Sequence, residues 1–400
     1  MKNNKTLQNL HGNLHENLQI HVKEHYQKHP YPQYPIFSSI QPHHSFALNV
    51  RSIWSHFNNL KLKSEENINI LLAGCGSFSP YPTSVANSKA NIWALDLSKK
   101  NLDRARLHCM LHRKFNIKYI EGDLLEFDNF PLFFHFIDCY GVIHHIKEDK
   151  KALKNICNLL SEGGIARIMV YSTGARKKIE SARRAFRVLK IDNLKNVKKI
   201  ITKTKDKSKS KSKAQTKDSQ FLALLKNNFE ANFDSGIADM FLHPYVKTYS
   251  IDQLNDLLKE CDLTPLKFIH HQALADTSKE IDRLRILEKN DNLFNNFILY
   301  VGRTSDQKKR MAAKTAEAEA EAAAYITLNP VIKKYLNLWS PFLTDLSNKF
   351  GKSMQLNYQH KSLLRYFRKN RRMAEVYRKF SKEKINQISS FLDALLLIKQ

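Results

Sequence analysis

The five cysteines, at 75, 109, 139, 157 and 261, include no C-x-x-C pair. That spacing offers no zinc site and no disulfide framework, so no metal is expected and the thiols are read as free. No run of eighteen apolar residues occurs, so no transmembrane helix is expected. The opening MKNNKTLQNLHGNLHENLQ lacks the apolar core of a secretory signal. Together with free thiols this points to a cytoplasmic protein. Acidic residues are scarce, 38 Asp and Glu against 65 Lys and Arg, for a net charge of +27. Such an excess attracts RNA, DNA or an anionic membrane surface. A lysine- and asparagine-rich composition from an AT-rich genome is the plainer source of it. What is abundant is apolar mass: 42% hydrophobic residues over 400 positions build a sizeable core and exclude wholesale disorder. The length predicts two or three domains.

Residues 1–65 read as helices and turns, interrupted where Pro30, Pro32 and Pro35 alternate with Tyr31 and Tyr34. From Ile68 short apolar runs alternate with helical stretches. The run of Ile68, Ile70, Leu71 and Leu72, then NIWALD, IKYIE, FHFIDCY and GIARIMVY, read as strands, and Asn101–Lys114 and Lys150–Leu160 as helices between them. That alternation predicts a parallel doubly wound sheet. Residues 195–218 are rich in Lys and Ser and read as a flexible insertion. FLALLKNNFE then reads as a helix, FDSGIADMFLHP as a turn and Ser250–Glu260 as a helix. Two strands near 266–270 and 297–302 bring the sheet to seven. The domain plan is 1–65, 66–303 and 304–400, the last a basic helical extension that includes YFRKNRRMAEVYRKF.

Chemistry concentrates in ILLAGCGSFSPYPTSVANSKANIWALDLS. A strand ends in Gly74-Cys75-Gly76, and the next ends in Asp96, 22 residues after Gly74. Glycines let a backbone approach a ligand closely, and a carboxylate at the second strand end accepts hydrogen bonds from ribose hydroxyls. The dinucleotide fingerprint is not completed, because position 79 is Ser. The third strand is followed by Glu121-Gly122-Asp123, the fourth by DCYGVIHHI, and LLSEGG precedes the fifth.

With AGCG, ALDLS, EGDLLEF, DCYGVIHHI and LLSEGGIARIMVYS in this order, the chain resembles the class I S-adenosylmethionine (SAM)-dependent methyltransferases. The likeness is best over 65–175. YQKHPYP, VYSTGARKKIESAR and DMFLHPYVKTYSIDQLNDLL are similar to blocks of bacterial methyltransferases often linked to tetratricopeptide repeats, which are absent here. The resemblance implies an α/β, Rossmann-like, seven-stranded mostly parallel sheet. SAM is the implied cofactor and the methyl acceptor stays unknown. It implies Ala73, Gly74, Cys75 and Gly76 beneath the methionine half, and Asp96 on the ribose with Leu97 against the adenine. Asp123 is implied on the adenine amino group with Leu124 beside it, and Tyr140 and Gly141 near the sulfonium. Phe78 stands where the family has glycine, a bulky group at the methionine end of the pocket.

No catalytic residue is assigned. His144 and His145 are read as structural or cofactor-adjacent, and Cys75 as a packing residue. The Tyr/Pro element is read either as a wall of the site or as a rigid turn, and His243-Pro244-Tyr245 as an acceptor-side or plain loop. The basic C-terminal helices offer RNA, an anionic membrane surface or a partner helix a docking face; packing on the catalytic domain is the plainer reading. The alternative to an enzyme is a catalytically inactive SAM-fold module that binds RNA or a protein through its basic segments.

Overall fold

The computed structural model describes residues 18–58, 62, 68–128, 130–210, 225, 229–270, 272–319, 324–346 and 354–399. Its centre is a seven-stranded sheet: β1 Asn69–Ala73, β2 Asn91–Asp96, β3 Ile117–Glu121, β4 Phe134–Tyr140, β5 Leu160–Val170, β6 Leu263–Phe268 and β7 Phe297–Arg303. The order is β3-β2-β1-β4-β5-β7-β6. β1 to β5 run parallel, and β7 is antiparallel to both β5 and β6. The central strands are apolar on both faces because helices cover both, which is why their sequences read as continuous runs rather than alternations. Order reverses between β1 and β4, and the loops beyond those strand ends form the crevice where such sheets bind ligands.

One buried cluster fills the face that carries Ile70, Leu72, Ile92, Ala94, Phe136 and Tyr300. It continues without a break through Phe46, Val50 and Ile53 to Ile326, Leu328, Leu364, Phe391 and Leu397. The C-terminal segment therefore packs on the helix Val50–Asn58 and the sheet. Asn329 pins the junction: its side-chain amide nitrogen lies 3.1, 2.8 and 2.8 Å from Phe46 O, Ser52 Oγ and Leu395 O, three acceptors sharing its two hydrogens. The opposite face packs Leu71, Ala73, Leu95, Ile137 and Ile168 against Ile156, Leu254 and Leu284. Between β4 and β5, Arg167 forms a buried bidentate pair with Asp138, at 2.8 Å from Nε and 2.6 Å from Nη2.

Three expectations are corrected. Residues expected to begin a flexible insertion form the helix Leu194–Ser210, in which Val197 and Ile201 pack on Ile179, Phe186 and Met240; residues 211–218 lie outside the described ones. Four-residue spacing of Val197 and Ile201 supplies an apolar stripe that the Lys content hides. The segment FDSGIADMFLHP, expected as a turn, holds the helix Asp234–Leu242, because Ile237, Met240 and Phe241 bury one face. The C-terminal segment is mostly helical but also contains an antiparallel sheet of Tyr325–Leu328, Arg371–Arg372 and Leu397–Lys399. Its basic stretch is not one helix: Arg368–Arg372 lies between the helices Tyr358–Tyr366 and Met373–Lys379, with Arg371–Arg372 in that sheet. Most of FLALLKNNFE lies outside the described residues.

Candidate functional site

A cavity of about 1000 Å³ opens over the ends of β1, β2 and β4. Gly74, Cys75, Gly76, Asp96, Leu97, Asp123, Leu124, Tyr140 and Gly141 all line it. Ala73, the last residue of β1, is buried beneath them and does not. Gly74 and Gly76 adopt φ of +75° and +57°, a region that costs other residues about 1–2 kcal/mol. A Cβ on Gly74 would stand 2.4 Å from Val142 Cγ2, and one on Gly76 2.7 Å from Tyr31 O. The loop is thus packed on one side and open to the cavity on the other.

Asp96 holds that loop. Its Oδ2 accepts the Gly76 N–H at 2.7 Å; its Oδ1 accepts the Ser98 N–H at 2.9 Å and the Asn101 amide at 3.1 Å. Each carboxylate oxygen takes about two hydrogen bonds, so Oδ2 retains capacity toward the cavity. Burial raises the Asp96 pKa, and the three donors oppose the rise. Asp123 caps the turn Leu124–Glu126 through the Leu125 N–H at 2.9 Å and accepts from Gln19 at 2.6 Å. Cys75 is buried, which pushes its thiol well up and suits packing rather than nucleophilic work.

The Tyr/Pro element straps the glycine loop. Tyr31 donates its N–H to Asn101 Oδ1 at 3.0 Å and accepts the Ser77 N–H at 3.0 Å; Ser77 Oγ bonds Pro32 O. Phe78 sits in an aromatic cluster at the cavity wall, with Tyr34 at 4.8 Å, His108 at 5.1 Å and Tyr81 at 5.9 Å between ring centroids. Those contacts fix where the bulky side chain lies.

Beyond Tyr140 the cavity reaches a buried polar cluster. Tyr26, on the helix at residues 18–28, donates its hydroxyl to Asp239 Oδ1 at 2.9 Å. Burial raises the pKa of both groups. His145 donates Nδ1–H to Tyr245 O at 2.9 Å, which leaves its Nε2 with the lone pair. Burial lowers its pKa to about 3, so the ring is neutral at pH 7. Arg176 lies 3.7 Å from the Tyr171 ring centroid, and His144 stacks on that ring at 3.6 Å.

The nearest ligand atoms of His145, Asp239 and His243 lie within 4.8 Å of one another. His243 Nδ1, however, accepts the Tyr245 N–H at 3.1 Å, so its neutral ring carries the proton on Nε2. That nitrogen is a donor, not a ligand. Burial and the facing His145, His25 and Arg183 all hold its pKa well below 6.5. The arrangement suits hydrogen bonding better than cation coordination.

Sequence reasoning did not single out Arg176, Tyr171 or Asp239. Asp239 and His243 are four residues apart at the end of one helix, a spacing that puts both on one side of it and was the available signal.

Residues 71–168 match the family model described as a methyltransferase domain. The chain is similar to PKMT2 from Rickettsia typhi, with 14% identity and a TM-score of 0.56, covering 92% of this chain and 76% of that one. The structure of that protein in complex with AdoHcy gives a TM-score of 0.55 over 92% of this chain and 77% of that one. An uncharacterized protein of Synechococcus sp. is 23% identical over 321 residues, 74% of this chain and 76% of its own length. The chain carries a methyltransferase domain, and its fold is that of the class I SAM-dependent methyltransferases.

Proposed function

We propose that the chain is a SAM-dependent methyltransferase, acting on an acceptor that enters the cavity from the Asp239 side. The observation that carries this reading is the continuity of one cavity. It joins the glycine loop, Asp96 and Asp123 to Tyr26, His145, Arg176 and Asp239. The residues present fit the cofactor. A Cβ at Gly74 or Gly76 would collide with its surroundings, so the loop leaves its backbone to face a ligand. Asp96 Oδ2 retains a lone pair for a ribose hydroxyl. Leu97 and Leu124 offer apolar surface on either side of the adenine place, with Asp123 beside it. Tyr140 and Gly141 border the methionine half.

When bound, SAM supplies a methyl group already activated on a sulfonium. The chain's own work is then seating, orientation and exclusion of water. Tyr26 closes the site from the N-terminal helix. At the acceptor end Asp239 has the suitable base character. Its Oδ1 is held by Tyr26, and burial raises its pKa toward the range in which it takes a proton. We assign Oδ2 as the atom that receives a proton from the acceptor's nucleophile. Neutral His145, with its lone pair on Nε2, orients the acceptor. Arg176 Nε and Nη2 have no hydrogen-bond partner among the described residues, so this end of the cavity gains from a polar ligand group.

Calorimetric titration of the full chain with SAM tests the reading, with Asp96→Ala as the comparison. Micromolar binding by the parent and its loss in Asp96→Ala is the expected result. A folded protein that does not bind SAM overturns the proposal and favours a non-catalytic module.

A further inference from the structure

The loop between Leu338 and Leu346 has its polarity turned inward. Both leucines are buried and anchor its ends, whereas Trp339, Phe342 and Leu343 stand 70, 77 and 61% exposed. The backbone between them is held from beneath. Lys361, on the helix Tyr358–Tyr366, is itself buried and donates Nζ to Phe342 O at 2.6 Å and Ser340 O at 3.3 Å. Arg365, one turn on, donates to Leu338 O at 3.2 Å and lays its guanidinium 4.3 Å from the Trp339 ring centroid. The N–H groups of Trp339 and Phe342 donate to Asn337 Oδ1 and Ser340 Oγ at 3.0 and 3.4 Å.

A buried ammonium spent on fixing a surface loop is costly unless the loop's shape matters. Here it presents three large apolar side chains together while supplying internal partners for its backbone. Backbone satisfied in this way leaves water at little cost. Trp at headgroup level with Phe and Leu beyond it matches the chemistry of a bilayer boundary. The surroundings match in charge: residues 325–400 contain 15 Lys and Arg against 4 Asp and Glu. Lys333, Lys334, Arg368 and Lys369, on segments flanking the loop and its supporting helix, are exposed. Each such cation near an anionic surface adds attraction that falls with salt. A single-stranded nucleic acid would use flat aromatic faces; Leu343 has none, and Arg365 already lies over Trp339.

We infer that the Trp339–Leu343 loop docks this chain on an anionic lipid bilayer, with the three apolar side chains inserted at headgroup level and the neighbouring basic residues over the lipid phosphates. The inference does not rest on the methyltransferase reading.

The test is sedimentation of the full chain with extruded vesicles of phosphatidylcholine and phosphatidylserine at roughly 2:1, and of phosphatidylcholine alone. Binding to the anionic vesicles that weakens with salt is expected. The triple variant Trp339→Ser, Phe342→Ser, Leu343→Ser should lower partitioning on the order of tenfold or more. Its circular dichroism and melting should match the parent, since all three side chains are exposed. Tryptophan quenching by lipids brominated in the acyl chain should disappear in Trp339→Phe. The inference is overturned if the triple variant binds as tightly as the parent, or if the parent stays in the supernatant with both vesicle types. It is equally overturned if the triple variant loses binding to a single-stranded RNA oligonucleotide while neither protein binds vesicles.

Discussion

Gly74→Ala separates two costs that the glycine loop imposes. The first is conformational: at φ +75° a Cβ costs about 1–2 kcal/mol. The second is steric. The new methyl would sit 2.4 and 3.1 Å from the two methyls of Val142, on the loop after β4. Insertion into a packed contact of this kind costs about 1–3 kcal/mol. Alanine also stiffens the unfolded chain, which returns about 0.4–1 kcal/mol. The net expectation is destabilisation of about 1–4.5 kcal/mol. Val142→Ala removes both colliding methyls but leaves φ untouched, at its own cost of about 1 kcal/mol. The double variant should therefore be more stable than the two single losses predict, by about 1–3 kcal/mol of coupling. Urea unfolding of the four proteins, followed by fluorescence, measures this. Additive losses would refute the steric half of the argument and leave the backbone conformation as the whole cause. A Gly74→Ala variant as stable as the parent would refute both.

Two further consequences concern the polar end of the cavity. Asp239→Asn keeps an oxygen for the Tyr26 hydroxyl but cannot take a proton, so methyl transfer should fall by about a hundredfold or more with SAM affinity retained; equal loss of SAM binding in the titration would make Asp239 a cofactor-site residue instead. Acid should destabilise the fold through His25 and His145, whose pKa values burial lowers to about 4 and about 3. The unfolded chain takes up a proton at each near pH 6.5, the folded chain only lower, so stability falls as pH drops from about 6.5 toward 4. The slope approaches about 1.4 kcal/mol per pH unit for each histidine. Urea midpoints across that range should decline less steeply in His25→Gln than in the parent, and a parallel decline would show that His25 is not buried neutral.

How far the site could be read in advance depended on which physical signal each residue leaves. Gly74, Gly76 and Asp96 were legible because strand, tight turn and strand-end carboxylate are constrained by local geometry at fixed separations. Asp96 even turns inward to hold Gly76 N–H, a contact within one βαβ unit. The polar cluster left no such local trace. Tyr26 and Asp239 are 213 residues apart and meet only because the N-terminal helix and the helix Asp234–Leu242 both close over the ends of the sheet. That second helix was hidden by Gly236, which lowers helix propensity and mimics a turn, while tertiary burial of Ile237, Met240 and Phe241 decides the outcome. The C-terminal sheet was obscured for a related reason. Arg371–Arg372 has no strand character of its own and pairs because Tyr325–Leu328 presents an edge between it and Leu397–Lys399. On the proposed reading, the cofactor side is written in short motifs and the acceptor side in packing between distant segments, so a search for the acceptor would start from Asp239, His145 and Arg176 rather than from any motif.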